Sequence, residues 1–168
     1  MRLAIISDTH LPRGSRALPP ACVAHLRAAD LILHAGDVST LAVLEEIRAL
    51  GPPVAAVHGN VDDEGVRGAL PAARLIQAGA ARIAMVHDAG PVAGRLARMQ
   101  ARFGASGAGS VVFGHSHIPL HERDPRTGFQ LFNPGSPTDR RRQFVHTMGL
   151  ADVGPGGAVA FRHVELGG

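Results

Sequence analysis

Short runs of aliphatic and β-branched residues punctuate the chain: RLAIIS from Arg2, LILHA from Leu31, VAAVHG from Val54, ARIAMVH from Ala81 and SVVFGH from Ser110. Runs of this length, apolar throughout rather than alternating, read as strands buried on both faces. Between them, PACVAHLRAA from Pro20, TLAVLEEIRAL from Thr40 and VAGRLARMQARF from Val92 repeat their apolar residues at helical spacing, as Leu44, Ile47 and Leu50 do. These segments predict amphipathic helices packed on a sheet. Strands alternating with helices predict an α/β fold, with largely parallel pairing in the first half.

From Ile118 onward the character changes. The segments PLHERDPRTGFQLFN and QFVHTMGLADVGPGGAVAFRHVEL join strand runs by Asp-Pro, Thr-Gly and Pro-Gly-Gly turns, which predicts hairpins and a second, mostly antiparallel sheet at the C-terminal end. No internal repeat, heptad or low-complexity linker interrupts the pattern, so residues 1–168 read as one domain. That length is sufficient to bury a core without disulfides or a structural metal.

Composition adds limits. The chain is 45% hydrophobic and 18% charged, which excludes a disordered protein. All 17 basic residues are arginine and there is no Trp or Tyr, so the pI near 10.8 reflects missing Lys and Tyr as well as a net charge of +3. The longest basic run is Arg140 to Arg142, and no basic stripe with stacking aromatics predicts a long nucleic acid as partner. The single Cys22 excludes an internal disulfide and reads as a buried thiol. Met1 leads straight into a strand-like run, and no stretch approaches a membrane span. The expected location is the cytoplasm, with no membrane partner.

The polar residues with chemical potential sit at the carboxyl ends of the predicted strands: Asp8 and His10, then Asp37, Asn60, His87, and finally His115 and His117. In α/β sheets the crevice beyond those ends is where ligands bind, so residues far apart in sequence converge there. The pairs in DTH and HSH lie two residues apart, and in an extended chain both members share a face, so each pair could hold one metal. Oxygen and imidazole donors without thiolate suit Mn²⁺, Fe²⁺, Co²⁺, Ni²⁺ or Zn²⁺ better than Ca²⁺ or Mg²⁺. Seven donors exceed one tetrahedral ion but suit two divalent ions roughly 3.5–4 Å apart, the arrangement used for displacement at phosphorus.

The set SDTH, GDV, GNVD, VHD and GHSH in this order, with NPGSPTDRR following, resembles the calcineurin-like metallophosphoesterases, specifically their small prokaryotic phosphodiesterase branch. The resemblance runs from Ile5 to about Arg142. It implies a two-sheet β-sandwich flanked by helices, and two divalent ions with manganese foremost. It places Asp8, His10 and His117 on one ion, Asn60, His87 and His115 on the other, and Asp37 between them as the bridge. It further implies a phosphodiesterase acting on a small phosphoester. A hydroxide held between the ions would attack phosphorus, with Asp37 and Asn60 as the catalytic side chains.

Two positions depart from the family pattern. Val61 stands where many members carry a histidine that protonates the leaving group, so no general acid is assigned. Asp88 follows His87 where glycine is usual, and is read as tuning a metal or capping a helix that starts at Pro91. Asp62 is read as orienting its loop, Asp63 and Glu64 as solvated charges, and NPGS at Asn133 to Ser136 as an architectural turn. His34 and His58 are candidates for positioning the donors; His25, His121, His146 and His163 are structural, and Arg13 and Arg140 to Arg142 solvated. Alternatives are a phosphomonoesterase or nuclease of the same fold and, from another class, a non-catalytic scaffold like the retromer subunit of that fold. A homo-oligomer stays open.

Overall fold

The computed structural model describes residues 1–12 and 16–167. Two five-stranded sheets face each other among the described residues. The first has the order β10-β9-β1-β2-β3, built from β1 (Arg2–Ile6), β2 (Leu31–His34), β3 (Val54–Ala56), β9 (Thr147–Val153) and β10 (Val159–Glu165). The second has the order β4-β5-β6-β8-β7, built from β4 (Ala73–Ala78), β5 (Ala81–Val86), β6 (Ser110–Val112), β7 (Leu120–Arg123) and β8 (Gln130–Asn133). Helices α1 (Pro20–Arg27), α2 (Leu41–Arg48), α3 (Glu64–Ala69) and α4 (Arg95–Phe103) complete the α/β sandwich.

The unbroken apolar strands follow from this layering. In β1, Leu3 and Ile5 point between the sheets, where they meet Leu33, Ile83, Met85, Val112 and Phe132. Their neighbours Ala4 and Ile6 point the other way, onto Leu26, Val43, Leu44 and Ile47 of α1 and α2. The second sheet repeats the division, with Val111, Phe113 and Leu131 packed outward against Met99 and Phe103 of α4. The inner strands β1, β2, β6 and β8 therefore bury both faces, and alternation disappears from their sequence. Among the described residues no helix is long and apolar enough to cross a membrane.

Pairing differs from the sequence expectation in one respect. The C-terminal hairpins do not form a sheet of their own. β9 and β10 extend the first sheet, with β9 antiparallel to β1 (Leu3 opposite Ala151), while β1, β2 and β3 run parallel. The hairpin of β7 and β8 joins the second sheet instead, where β8 runs parallel to β6 and β6 parallel to β5. A hairpin signal reports the turn and not the sheet it joins, because the outer partner is chosen by burial of the strand's faces.

Phe132 locks the two sheets together. Its ring is fully buried and stacked between Phe161, at 4.7 Å, and His163, at 4.5 Å. Phe132→Ala is expected to destabilise the fold by about 3–5 kcal/mol, since it removes the shared partner of two rings and leaves a void. A fall in the urea midpoint of that order checks this, and a loss below about 1 kcal/mol would contradict the packing account.

Candidate metal centre

The carboxyl ends of β1, β2, β3, β5 and β6 open on one side, and the seven sequence-predicted donors follow them. The chain does not remain extended there. Asp8 (φ 55°), His10 (47°), Asp37 (58°), His115 (67°) and His117 (59°) all occupy the left-handed region, where non-glycine residues are uncommon. The premise that DTH and HSH keep their side chains on one face by extension therefore fails. The sharp turns fold the donors back over the strand ends, and HSH splits between two clusters rather than holding one ion alone.

Crowding explains the small residue before three of the donors. A Cβ on Gly59 would fall onto the Asp37 carboxylate, and one on Gly114 would collide with Ser7 Oγ and Asp8 Oδ2. Glycine is needed so that the backbone of one loop can touch the donor of another. The loops are also bonded directly: Asp8 N–H donates to Gly36 O at 3.0 Å, Gly114 N–H to His87 O at 2.9 Å, and His115 N–H to the Asp8 carboxylate at 3.0 Å.

The first cluster comprises Asp8, His10 and His117, whose ligand atoms fall within 4.8 Å of one another. His10 Nε2 and His117 Nε2 are 3.1 Å apart, and His117 Nε2 is 3.5 Å from Asp8 Oδ1. In the second cluster, Asn60 Oδ1 lies 3.0 Å from His87 Nε2 and 2.9 Å from His115 Nδ1. Asp37 Oδ2 lies between the two, 3.3 Å from His87 Nε2 and 3.6 Å from His10 Nε2. Asp8, Asp37 and His87 also qualify as a three-donor group.

Hydrogen bonds fix which nitrogens face inward. His117 Nδ1–H donates to Asp139 O and His87 Nδ1–H to Ala35 O, the latter at 2.8 Å. Each bond assigns the tautomer and leaves Nε2 as the inward atom. His87 Nε2 then confronts the oxygens of Asn60 and Asp37, an arrangement that only a proton or a cation on that nitrogen satisfies. Burial pushes the Asp8 carboxyl up to about 7 and lowers the His10 and His117 imidazoles. Burial acts to raise Asp37 too, but the bond and charge of His87, with the Val61 N–H, hold it down at about 2. Asp37 raises His87 in turn, against its burial. A partly buried group of oxygens and inward imidazoles with such opposed shifts fits divalent cations of the borderline class.

Several positioning residues escaped sequence reasoning. Ser136 Oγ donates to Asp8 O at 2.7 Å and accepts from the Thr138 and Asp139 amides, while Thr138 Oγ1 donates to Thr9 O. Asn133 Nδ2 donates to Gly114 O at 2.8 Å. The NPGSPTD segment is thus a strut under the DTH and GHSH loops, and its turn-like composition concealed that. Asp62 orients its loop as expected: buried, it accepts from the Gly59, Asp37 and Ser39 amides. His34 Nε2–H donates to Thr9 Oγ1 at 3.1 Å, whose hydroxyl donates to Asp37 O, and burial pushes this imidazole down to about 3.

Other expectations change. Asp63 and Glu64 are exposed, as expected, but belong to a helix: Asp63 caps α3, accepting from Val66 N at 2.8 Å, and Glu64 opens it. Asp88 accepts from Gly90 N in a tight turn; α4 begins at Arg95, so Asp88 caps no helix at Pro91. His58 Nδ1–H donates to its neighbour Gly59 O, and among the described residues its ring hydrogen-bonds none of the donors. His121 and His163 pack on the Phe132 and Phe161 rings. Val61 stands 48% exposed beside Asn60, leaving the position with no titratable group. Arg13 lies outside the described residues. Arg140 to Arg142 are exposed, as expected, and Arg141 lies near enough for its charge to depress both His10 and His117.

The calcineurin-like phosphoesterase superfamily domain matches residues 1–156. A probable metallophosphoesterase of Methanothermobacter thermautotrophicus is 37% identical over 142 residues, covering 82% of this chain and 78% of that protein. A second probable metallophosphoesterase, from Methanocaldococcus jannaschii, is 32% identical over 152 residues, covering 90% and 76%. Among solved structures, Vps29 of Entamoeba histolytica complexed with zinc superposes with a TM-score of 0.77 at 20% identity, over 99% of each chain, a likeness of fold.

The raised Asp8 carboxyl yields an expected outcome with a definite sign. A carboxyl that holds its proton more tightly folded than unfolded stabilises the metal-free protein at low pH, and that contribution is lost as pH climbs from about 4 to about 7. A divalent ion competes with the same proton. The gain in melting temperature on adding Mn²⁺ should therefore be larger at pH 8 than at pH 5.5, and an equal gain would contradict it. Ser136→Ala, which strips the Asp8 carbonyl of its buried donor, should lower both stability, by about 1–3 kcal/mol, and Mn²⁺ affinity.

Proposed function

Because the chain belongs to the calcineurin-like phosphoesterase superfamily, we propose that it is a two-metal phosphodiesterase acting on a small phosphodiester, with Mn²⁺ as its ion. The observation that carries the dinuclear reading is the position of one oxygen: Asp37 Oδ2 sits between His10 and His87, within 3.6 Å of both inward nitrogens. A single carboxylate placed between two donor clusters is what a bridging ligand requires.

Two divalent ions would supply Lewis-acid polarisation of the phosphoryl oxygens and activation of water at neutral pH. The chain's own residues set the geometry. Asp8, His10 and His117 would hold one ion; Asn60, His87 and His115 the other. Asp37 stays ionised because His87 and the Val61 N–H, 3.0 Å from its Oδ1, outweigh its burial. Asn60, an exposed residue, directs Oδ1 at His87 and His115, which would leave its amide NH₂ to donate to a phosphoryl oxygen.

Val61 narrows the substrate. With no proton donor at that exposed position, the leaving group must depart as an anion or take its proton from water. Acidic leaving groups tolerate this and alkoxides do not. The rival reading, a protein-contact role without chemistry, is disfavoured by the complete donor set and by the strained backbone that aims it.

Two outcomes follow from this reading. Asp37→Ala and chelation should each lower hydrolysis of bis-p-nitrophenyl phosphate by at least about 10³-fold, the scale of losing a preorganised electrostatic group; activity surviving both removes the metalloenzyme reading. With Mn²⁺ supplied, aryl phosphodiesters should turn over at least about 10²-fold faster than alkyl phosphomonoesters. Equal rates would contradict the reading of Val61 and point to another group that protonates the leaving group.

A further inference from the structure

Beside the metal centre lies a cavity of about 380 Å³, lined by Ser116, Ile118, Arg140, Arg141, Arg142 and Gln143. Its volume is within the range of small-molecule sites. Ser116, one of its lining residues, stands between the donors His115 and His117 in the chain. The lining carries three guanidinium groups and no carboxylate. Arg140 donates to Gln143 O, whereas the side chains of Arg141 and Arg142 make no hydrogen bond or ion pair among the described residues.

Isolated exposed arginines are ordinary, but these are placed with care. Residues 136–139 are bonded to both donor loops, through Ser136 to Asp8 O, Thr138 to Thr9 O and His117 to Asp139 O. The three arginines follow that strut directly, so their position is tied to the metal donors. Arg141 itself has φ 48°, a conformation a long side chain adopts only where surroundings impose it. The exposed Ile118 adds an apolar wall.

We propose that this cavity binds a second phosphate group of the substrate, so that the preferred diester carries a phosphate besides the one cleaved. This rests on the phosphodiesterase reading above. Guanidinium groups pair with phosphate bidentately, which fixes orientation as well as adding attraction. A diester phosphate brings one negative charge and a terminal phosphate nearly two more. The cavity's charge is therefore matched to a nucleotide-like polyanion and not to a simple dialkyl ester.

The test uses two matched pairs of compounds. With Mn²⁺ supplied, kcat/KM is compared for thymidine 5′-(p-nitrophenyl phosphate) and the same ester carrying a 3′-phosphate. On metal-free protein, calorimetry compares thymidine 5′-monophosphate with thymidine 3′,5′-bisphosphate. The wild type should favour the additional phosphate at least about tenfold in both, as charge-assisted pairing implies. The preference should collapse to within about twofold in the Arg141→Gln, Arg142→Gln double variant and persist in Arg126→Gln, a charge control on the turn between β7 and β8. Equal binding by the wild type, or a preference that survives the double substitution, overturns the proposal. If neither ester is cleaved while the bisphosphate still binds preferentially, the diesterase reading falls and the phosphate site stands. If both esters are cleaved at equal kcat/KM and bind equally, the reverse holds.

Discussion

The carboxylate of Asp37 is almost wholly removed from water, yet it stays charged, and the arrangement of the site depends on that. Burying a carboxylate costs several kcal/mol unless partners replace its hydration. Here the partners come from three different loops: the His87 ring, the His10 ring and the Val61 amide. None of these is close to Asp37 in sequence. The charge therefore acts as an organiser, because it is tolerable only when three other donor-bearing loops have come together around it. Asp62 performs the equivalent service for the backbone, gathering three amides around the same turn.

Strain is the second cost of this arrangement. Five of the seven donors lie in the left-handed region, each at a cost of order 1–3 kcal/mol. Such conformations persist where the surroundings over-determine them. The strut from Asn133 to Asp139 and the glycines that allow loop-to-loop contact supply that constraint. The scaffold beneath, two sheets with three apolar layers, is rigid enough to bear it.

Much of this was legible in the sequence. Apolar runs located β1, β2, β3, β5 and β6, and the donors stood out because each polar residue followed such a run. The strand β4 was hidden: ARLIQA has no clear alternation, and its burial is as irregular as its sequence suggests. Helix α3 was hidden as well, since its six residues include two glycines and only Asp63 marks its start. The left-handed turns could not be read, because Asp and His at those positions are chosen for their side chains and carry no backbone signal. Ser136 and Thr138 were obscured for the opposite reason. Their residue types are common in turns, and only the fold shows that their hydroxyls reach back more than a hundred residues.

That long reach bears on how the protein comes into being. The seven donors have all been synthesised by His117, but β1 still lacks its neighbour β9, and Asp8 still lacks the hydroxyl of Ser136. Domains generally fold as units, and a chain emerging at about 5–20 residues per second spends several seconds with its donors present and their supports missing. During that interval the imidazoles and carboxylates have no common geometry. Any preference among metals would arise only when the last two strands close the first sheet, and would belong to the finished molecule and not to the donor residues themselves.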